Sequence, residues 1–162
     1  MNRVGIGYDS HRFAGDGALI LGGVTIPHAM GLAGHSDGDA VAHAIADAML
    51  GAAALGDIGR LFPDTDAAYK NADSMMLLAA VRDRLRANGW QLHQVDVTVI
   101  AETPRLSPHV VPMQCRLSDV LDVAESAVSV KAKTNEQMGF IGRGEGIAVI
   151  AVATIVASTP AR

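Results

Sequence analysis

The sequence predicts an α/β protein, more closely an α+β sandwich, in which helices pack on one face of a single mixed β-sheet. Residues 90–101 alternate apolar and polar side chains as a half-buried strand does. Residues 147–156 form a near-continuous apolar run, which is typical of a strand at the centre of a sheet or at an oligomer interface. Residues 72–88 repeat apolar side chains at helical spacing. A chain of 162 residues, 49% of them hydrophobic, can form one such domain over 1–162.

The composition limits the classes of function. Charged residues make up 19% of the chain, below the roughly 25% of an average globular protein, which hints that some surface is buried between subunits. The net charge is −4 and the chain has no basic run, which disfavours nucleic-acid binding. Cys115 is the only cysteine, and the longest apolar run is too short to span a membrane. We therefore expect a cytoplasmic protein, with a flexible tail at about 158–162.

The first half of the chain begins with a short strand at 3–8. A hairpin follows at 18–27, where two glycines separate two apolar runs. A helix is predicted from about 37 to 53, because apolar residues recur there at helical spacing. A polar, turn-rich loop at 56–66 then leads to the second helical segment.

The second half of the chain alternates helices and strands. The amphipathic helix at 72–88 precedes the strand at 90–101, and a further helix is predicted at 108–121. A strand at 127–134 and the apolar strand at 147–156 complete the chain. This order favours one sheet covered by helices.

Three residues form a candidate metal site. Asp9 and His11 are one residue apart, so in an extended strand their side chains point the same way. His43 lies in a helix that is otherwise almost entirely apolar. Two imidazoles and one carboxylate suit zinc, with a fourth position open for substrate. Each part has a structural alternative, a hydrogen-bonded turn at Asp9 or a core histidine at 43, so the prediction depends on all three together.

The turn at 34–39 predicts a phosphate site beside this metal. Ser36 is a suitable N-cap for the following helix, and Asp39 resembles the acidic half of a capping box. Unpaired backbone amides at a helix start bind phosphate. We therefore expect the phosphate to be bound where this helix begins.

Two further segments carry polar side chains in loops. The aspartates of the loop at 56–66 could bind the hydroxyls of a polyol, or could simply be solvated. Glu136, close to Thr134, could hold a hard cation such as Mg²⁺ through oxygen ligands.

These motifs, taken together, resemble those of one enzyme family. In chain order they are Gly7-Tyr8-Asp9-Ser10-His11, His35-Ser36-Asp37-Gly38-Asp39 with His43, Gly56-Asp57-Ile58-Gly59, Phe62-Pro63-Asp64-Thr65-Asp66, Lys133-Thr134-Asn135-Glu136 and Gly142-Arg143-Gly144-Glu145-Gly146. The chain resembles the 2-C-methyl-D-erythritol 2,4-cyclodiphosphate synthase family, in its single-function form, over about residues 3–157. Several independent motifs agree in order and spacing.

The resemblance implies an activity and an assembly. Members of the family are phosphorus–oxygen lyases of the non-mevalonate isoprenoid pathway. They convert 4-diphosphocytidyl-2-C-methyl-D-erythritol 2-phosphate to 2-C-methyl-D-erythritol 2,4-cyclodiphosphate and release CMP. The resemblance also implies a homotrimer, whose sheets face a central cavity and whose active sites lie between neighbouring subunits.

The resemblance assigns roles to named residues. The zinc ligands are matched by Asp9, His11 and His43. Glu136 matches the residue that holds magnesium or manganese with the diphosphate, and His35 and Thr134 match residues that stabilise the transition state. The matches to substrate-binding positions are Asp9, Ser10, His11, His35 and Ser36, then Asp57, Ile58, Gly59, Phe62, Pro63, Asp64, Thr65 and Asp66 on the methylerythritol side, Ala101, Glu102, Thr103, Pro104, Arg105, Leu106, Ser107, Lys133, Thr134, Asn135 and Glu136 on the cytidine and phosphate side, and Phe140 and Arg143 near the central cavity. Many members have threonine where this chain has Lys133 and Asn135.

Two other functions fit the residues alone. A metal-dependent phosphoesterase would use a metal-bound water to attack a phosphate, but the sequence lacks a second dense cluster of histidine and aspartate. A trimeric binding protein for isoprenoid-like ligands would use the metal only structurally, but the predicted site leaves one ligand position open.

Overall fold

A five-stranded mixed sheet forms the body of the protein, in a computed structural model that describes residues 1–15 and 17–158. Its strands are β1 (Asn2–Ala14), β4 (Gly31–Leu32), β5 (Trp90–Ile100), β6 (Val128–Lys133) and β7 (Gly146–Ala157), in the order β4-β1-β7-β5-β6. Among the described strands of this sheet, β5 and β6 pair in parallel and the other pairs are antiparallel. A separate hairpin pairs β2 (Leu19–Leu21) with β3 (Val24–Ile26). The tail expected at about 158–162 lies, from residue 159, outside the described residues.

The helices cover the sheet. They are α1 (Ala40–Ala53), α2 (Ile58–Leu61), α3 (Ser74–Ala87), α4 (Val110–Leu121) and α5 (Gly139–Gly142), with 3-10 turns at Ala67–Tyr69, Ser107–His109 and Glu125–Ala127. The long helix α1 packs on β1 and β7, α3 packs on β5, and α4 packs on β6. The prediction of a mixed α/β fold is therefore confirmed. Within the described residues, every helix is too short or too polar to cross a membrane.

The apolar run predicted as a central strand is β7, which lies between β1 and β5. Ile147, Val149 and Ile155 of this strand are fully buried. Ile150 and Val152 point to the opposite face and remain 36% and 38% exposed. The run is continuously apolar because one face of β7 lies in the core and the other belongs to an apolar open surface.

The close packing of α1 on β1 depends on glycine. A β-carbon built on Gly5 would lie 2.1 Å from the carbonyl oxygen of Ala48. The helix backbone therefore rests directly on the strand, which no larger residue at this position would permit. This approach sets the position of α1 above the strand that carries Asp9 and His11.

Three element boundaries differ from the sequence prediction. The strand expected at 3–8 continues to Ala14, because β7 pairs with it from Asn2 to Arg12. The loop expected at 56–66 contains the short helix α2. The helix expected from about residue 37 begins at Ala40.

Asp39, rather than Ser36, caps α1. Its Oδ1 accepts hydrogen bonds from the backbone N–H groups of Val41 and Ala42 at 3.0 and 3.1 Å. The same buried carboxylate accepts from the two glycine amides of the β2–β3 turn at 2.9 and 2.7 Å. The predicted N-cap at Ser36 is therefore wrong, because Asp39 bonds two of the free amides at the helix start. The phosphate site expected beside this helix start stays a prediction.

Candidate active site

The three predicted metal ligands meet at one point. Asp9 and His11 project from the same face of β1, and His43 reaches them from α1. Oδ2 of Asp9 lies 2.8 Å from Nε2 of His11 and 3.1 Å from Nδ1 of His43, and the two ring nitrogens are 3.3 Å apart. Donors that bind zinc at about 2.0–2.1 Å in a tetrahedron lie roughly 3.3 Å apart. The set of two nitrogens and one oxygen therefore fits a divalent metal in both chemistry and spacing.

The orientation of the His11 ring is fixed by the backbone. Its Nδ1 forms a hydrogen bond with the carbonyl oxygen of Ala33. A carbonyl only accepts, so Nδ1 carries a proton, and in the neutral ring Nε2 presents its lone pair to the cluster. A metal-binding imidazole is commonly held in this way through its other nitrogen.

The electrostatics of the cluster favour a cation. Although burial opposes it, the imidazole rings of His11 and His43, which contact Oδ2 of Asp9, hold the pKa of the Asp9 carboxyl well below its usual range. The hydrogen bond to Asp9 raises the pKa of His11 above its ordinary 6.5, against the opposing effect of burial. Without a metal, both shifts thus favour an ion pair between a protonated His11 and the Asp9 carboxylate. A divalent cation would take the place of that proton.

A cavity of about 490 Å³ opens beside the metal ligands. It is lined by Asp9, His11, His35, Ser36, His43, Ile58, Gly59, Phe62, Pro63, Asp64, Tyr69 and Leu77. Most residues assigned to the methylerythritol side are thus together. The predicted residues Ser10, Asp57, Thr65 and Asp66 are not in this lining. Asp57 caps α2, and Asp66 caps the 3-10 turn at Ala67–Tyr69.

A second cavity, of about 370 Å³, gathers most residues assigned to the cytidine side. It is lined by Ala101, Glu102, Pro104, Arg105, Leu106, Ser107, Ala132, Lys133 and Thr134. Oε2 of Glu102 accepts a hydrogen bond from the backbone N–H of Asn135 at 3.2 Å, which joins the loop after β5 to the segment after β6. Because β5 and β6 are parallel, the segments that follow them lie at the same end of the sheet.

Glu136 does not join the Asp9 cluster within one chain. Its Oε1 instead accepts a hydrogen bond from the Thr134 hydroxyl at 3.1 Å. The two cavities have no lining residue in common. Asp9 of β1 and Val99 of β5 both pair with Val149 of β7. The first cavity, beside Asp9, and the second, after the end of β5, therefore lie at the same end of the sheet on opposite sides of β7.

Phe140 and Arg143 stand apart from both cavities. Phe140 lies in the short helix α5 and is 43% exposed. Nε of Arg143 donates a hydrogen bond to Oε1 of Glu145 at 2.6 Å.

Three polar residues around the site were not predicted to take part in it. Oδ1 of Asp47 accepts a hydrogen bond from the backbone N–H of Ile58 at 2.8 Å and so anchors the start of α2. Asp47 follows His43 by four residues in α1, so the helical repeat could have placed the two on one face. Ser74 and Asp37 form hydrogen bonds behind His43. No local pattern indicates that contact, because Ser74 comes from a different helix.

Comparisons with known proteins agree on one family. Residues 2–156 match the model of the YgbB family. The 2-C-methyl-D-erythritol 2,4-cyclodiphosphate synthase of Gemmatimonas aurantiaca is 57% identical over 155 residues, which cover 96% of this chain and 93% of that protein.

Two solved structures have the same fold. The bifunctional IspDF from Campylobacter jejuni superposes with a TM-score of 0.94 at 45% identity, over 97% of this chain. The chain spans only 42% of the length of that bifunctional protein. The IspF of Plasmodium falciparum in complex with CDP superposes with a TM-score of 0.85 at 34% identity, over 98% of this chain and 97% of that one.

Proposed function

The chain belongs to the YgbB family, and from this membership we propose that it converts 4-diphosphocytidyl-2-C-methyl-D-erythritol 2-phosphate to 2-C-methyl-D-erythritol 2,4-cyclodiphosphate with release of CMP. It is then a phosphorus–oxygen lyase of the non-mevalonate isoprenoid pathway. One observation carries the proposal: the donor atoms of Asp9, His11 and His43 converge at the wall of a cavity large enough for a small substrate.

The reaction requires positioning more than acid–base chemistry. The 2-phosphate of the substrate attacks the β-phosphorus of its own diphosphate, the new P–O bond forms, and CMP leaves with the bonding electrons. The nucleophile is already an anion, so no general base is needed. The barrier comes from bringing two anionic groups into line, and holding both in one site can contribute several kcal/mol.

Divalent metals would reduce the repulsion between the two anionic groups, and named residues would hold them. Asp9, His11 and His43 would hold zinc, and Glu136 would hold magnesium or manganese together with the diphosphate. Bound there, the divalent metals would neutralise and orient the diphosphate. One carboxylate and two neutral imidazoles leave the site with a net positive charge when a divalent cation is bound. Such a site attracts a phosphate group.

Each of the two cavities would bind a different part of the substrate. We assign the methylerythritol part to Asp57, Ile58, Gly59 and the segment 62–66, and the cytidine part to the segments 101–107 and 133–136. His35 and Thr134 would stabilise the transition state, each from one cavity. His35 lines the first cavity and its Nε2 donates a hydrogen bond to the carbonyl oxygen of Asp66 at 3.2 Å. Thr134 lines the second.

A homotrimer would bring the two cavities of neighbouring chains together. The open face of the sheet supports this assembly, since Val4, Ile6 and Tyr8 are 66%, 70% and 57% exposed. These side chains, with those of Ile150 and Val152, form a contiguous apolar surface on β1 and β7. Surfaces of this kind mark interaction sites. Phe140 and Arg143 would lie near the central cavity of that assembly.

Product analysis tests the proposal. Purified, zinc-loaded enzyme is mixed with Mg²⁺ and the cytidyl substrate, and the phosphorus-containing products are followed by ³¹P NMR. We expect CMP and the cyclic diphosphate in equal amounts, and no reaction after chelation. Release of inorganic phosphate would instead indicate a phosphoesterase. Binding without turnover would indicate a binding protein.

A further inference from the structure

We propose that Ser74 and Asp37 are positioning residues that hold His43 in the orientation and protonation state needed to bind a metal through Nδ1. This inference rests on the proposed metal site and extends it to residues outside the ligand set. The observation behind it is a continuous chain of hydrogen bonds from Asp37 through Ser74 to the far nitrogen of the His43 ring.

The geometry of this chain is specific. Oγ of Ser74 lies 3.0 Å from Nε2 of His43, on the side of the ring that faces away from Asp9. The same hydroxyl donates to Oδ1 of Asp37 at 2.5 Å. Oδ2 of Asp37 accepts from the backbone N–H of Ser74 at 3.1 Å. Both carboxylate oxygens of Asp37 are thus engaged by one residue, which fixes the direction of the Ser74 hydroxyl.

The proton positions follow from the chemistry of the three groups. A serine hydroxyl has one hydrogen, and its shortest contact is with the carboxylate, which can only accept. Ser74 therefore donates to Asp37 and accepts from His43, so Nε2 of the ring carries a proton. Nδ1 of the neutral ring then presents its lone pair to Asp9 and His11. Hydrogen bonds of this kind behind a ligand set the tautomer and the basicity of a metal-binding imidazole.

Ser36 supports the same assignment. Its hydroxyl oxygen lies 3.2 Å from Nε2 of His43 and 3.3 Å from Oγ of Ser74, and it accepts from the backbone N–H of Gly38 at 3.3 Å. A protonated Nε2 can share its hydrogen between the two serine oxygens. The histidine ring is therefore held from behind by hydroxyls of two different segments.

The segment that carries Asp37 is tied to the start of α3. The backbone N–H of Asp37 donates to the carbonyl oxygen of Ala72 at 3.2 Å, and the N–H of Asn71 donates to that of His35 at 2.8 Å. Ser74 is the first residue of α3 and is only 1% exposed. The hydroxyl at the centre of the network is therefore buried, while Asp37 and His43 are partly buried. Hydrogen bonds shielded from water in this way hold a ring in place more firmly than exposed ones.

Zinc affinity tests the proposal without using activity. Competition with a chromophoric chelator gives the Kd for zinc of the full chain, with unfolding monitored separately. We expect Ser74→Ala to weaken zinc binding by about 10–100-fold, and Asp37→Asn to weaken it in the same direction. Ser118→Ala is the matched control, because Ser118 is also a buried serine but its hydroxyl donates to the carbonyl oxygen of Cys115 within α4. Its affinity for zinc should stay at the wild-type value.

A spectroscopic measurement on the wild-type protein decides the question even if Ser74→Ala fails to fold. In zinc-loaded protein with ¹⁵N-labelled histidine, we expect Nδ1 of His43 to be the metal-bound nitrogen and Nε2 to carry a proton. Metal bound to Nε2, or a folded Ser74→Ala variant with wild-type zinc affinity, would overturn the proposal. If the wild-type protein itself bound no zinc, the proposed metal site would fail first, so the two failures are distinguishable.

Discussion

Gly7 of β1 passes so close to α1 that a β-carbon built on it would lie 1.9 Å from the carbonyl oxygen of Ala44. Ala44 is the residue after His43, and Gly7 is two residues before Asp9. The contact therefore determines how near the histidine of the helix comes to the ligands of the strand. The geometry of the metal cluster depends on a residue that has no polar side chain.

The first prediction concerns this contact. Gly7→Ala would force the α1 backbone away from β1, and overpacking against backbone cannot be relieved by a rotamer change. We expect a loss of about 3 kcal/mol in the free energy of unfolding, the upper end of the usual cost of overpacking, measured by chemical denaturation, together with weaker zinc binding. Gly17→Ala is the matched control, because a β-carbon there meets no atom of the described residues within 4 Å, its chain neighbours aside. A Gly7→Ala variant as stable as this control would refute the packing argument.

The second prediction concerns the buried cap of α1. Asp39→Ala would remove the acceptor of four backbone N–H groups, two in α1 and two in the β2–β3 turn. Unsatisfied buried donors cost about 1–3 kcal/mol each. We therefore expect the free energy of unfolding to fall by well over the roughly 1 kcal/mol that an ordinary N-cap contributes. Asp73→Ala provides the comparison, since the side chain of the exposed Asp73 accepts a hydrogen bond from the backbone N–H of Met75 at the start of α3 and makes no link to a distant segment among the described residues. It should cost about 1 kcal/mol. Equal losses would show that the link to the hairpin adds nothing.

The third prediction concerns pH and the metal-free protein. Because the hydrogen bond to Asp9 raises the pKa of His11 in the folded state above 6.5, the folded state binds its proton more tightly than the unfolded state. The resulting stabilisation is complete below pH 6.5 and is lost as pH rises through the folded-state value. With zinc the trend reverses, because the metal needs the neutral imidazole. Urea unfolding from pH 6 to 8.5, with chelator and with zinc, measures both trends.

A variant identifies the group responsible for this pH dependence. His11→Gln should flatten the fall in stability of the chelated protein. If the chelated wild type and His11→Gln lose stability equally over this range, the assignment to His11 is wrong.

The fourth prediction concerns site sharing between chains. Glu136 accepts a hydrogen bond from Thr134 of the second cavity, whereas the Asp9 cluster lines the first. The proposed trimer would join cavities of neighbouring chains. Glu136→Ala and His43→Ala should each be inactive alone. When the two variants are unfolded and refolded together, some interfaces contain both intact halves, and activity should partly return. No recovery in verified mixed trimers would mean that both residues act within one chain's site.

Much of the fold could be predicted from side-chain periodicity. The alternating pattern of β5 indicates which of its faces is buried, and Val95, Val97 and Val99 are in the core. The apolar run of β7 indicates a central strand, and its residues Ile147, Val149 and Ile155 are in the core. The proximity of Asp9 and His11 could be predicted for the same reason, since alternate residues of a strand point to the same side. The short helix α2 was missed because four residues carry no helical repeat.

The remaining wrong or missing predictions concern residues whose role depends on tertiary contacts rather than on the local sequence. Ser36 and Asp39 are both suitable N-caps by composition. Asp39 caps α1 because its carboxylate also meets the glycine amides of a distant hairpin. Ser74 looks like an ordinary residue at the start of a helix, and its contact with His43 exists only once α3 has packed beside α1.

The most direct test of the central claim is the zinc content and the CMP release of His43→Ala, compared with His93→Ala. His43 supplies one of the three converging donor atoms, whereas His93 is an exposed residue of β5. We expect folded His43→Ala to bind little zinc and to release CMP at under about one-hundredth of the wild-type rate, while His93→Ala retains both properties. Full zinc occupancy and wild-type turnover in His43→Ala would contradict the account.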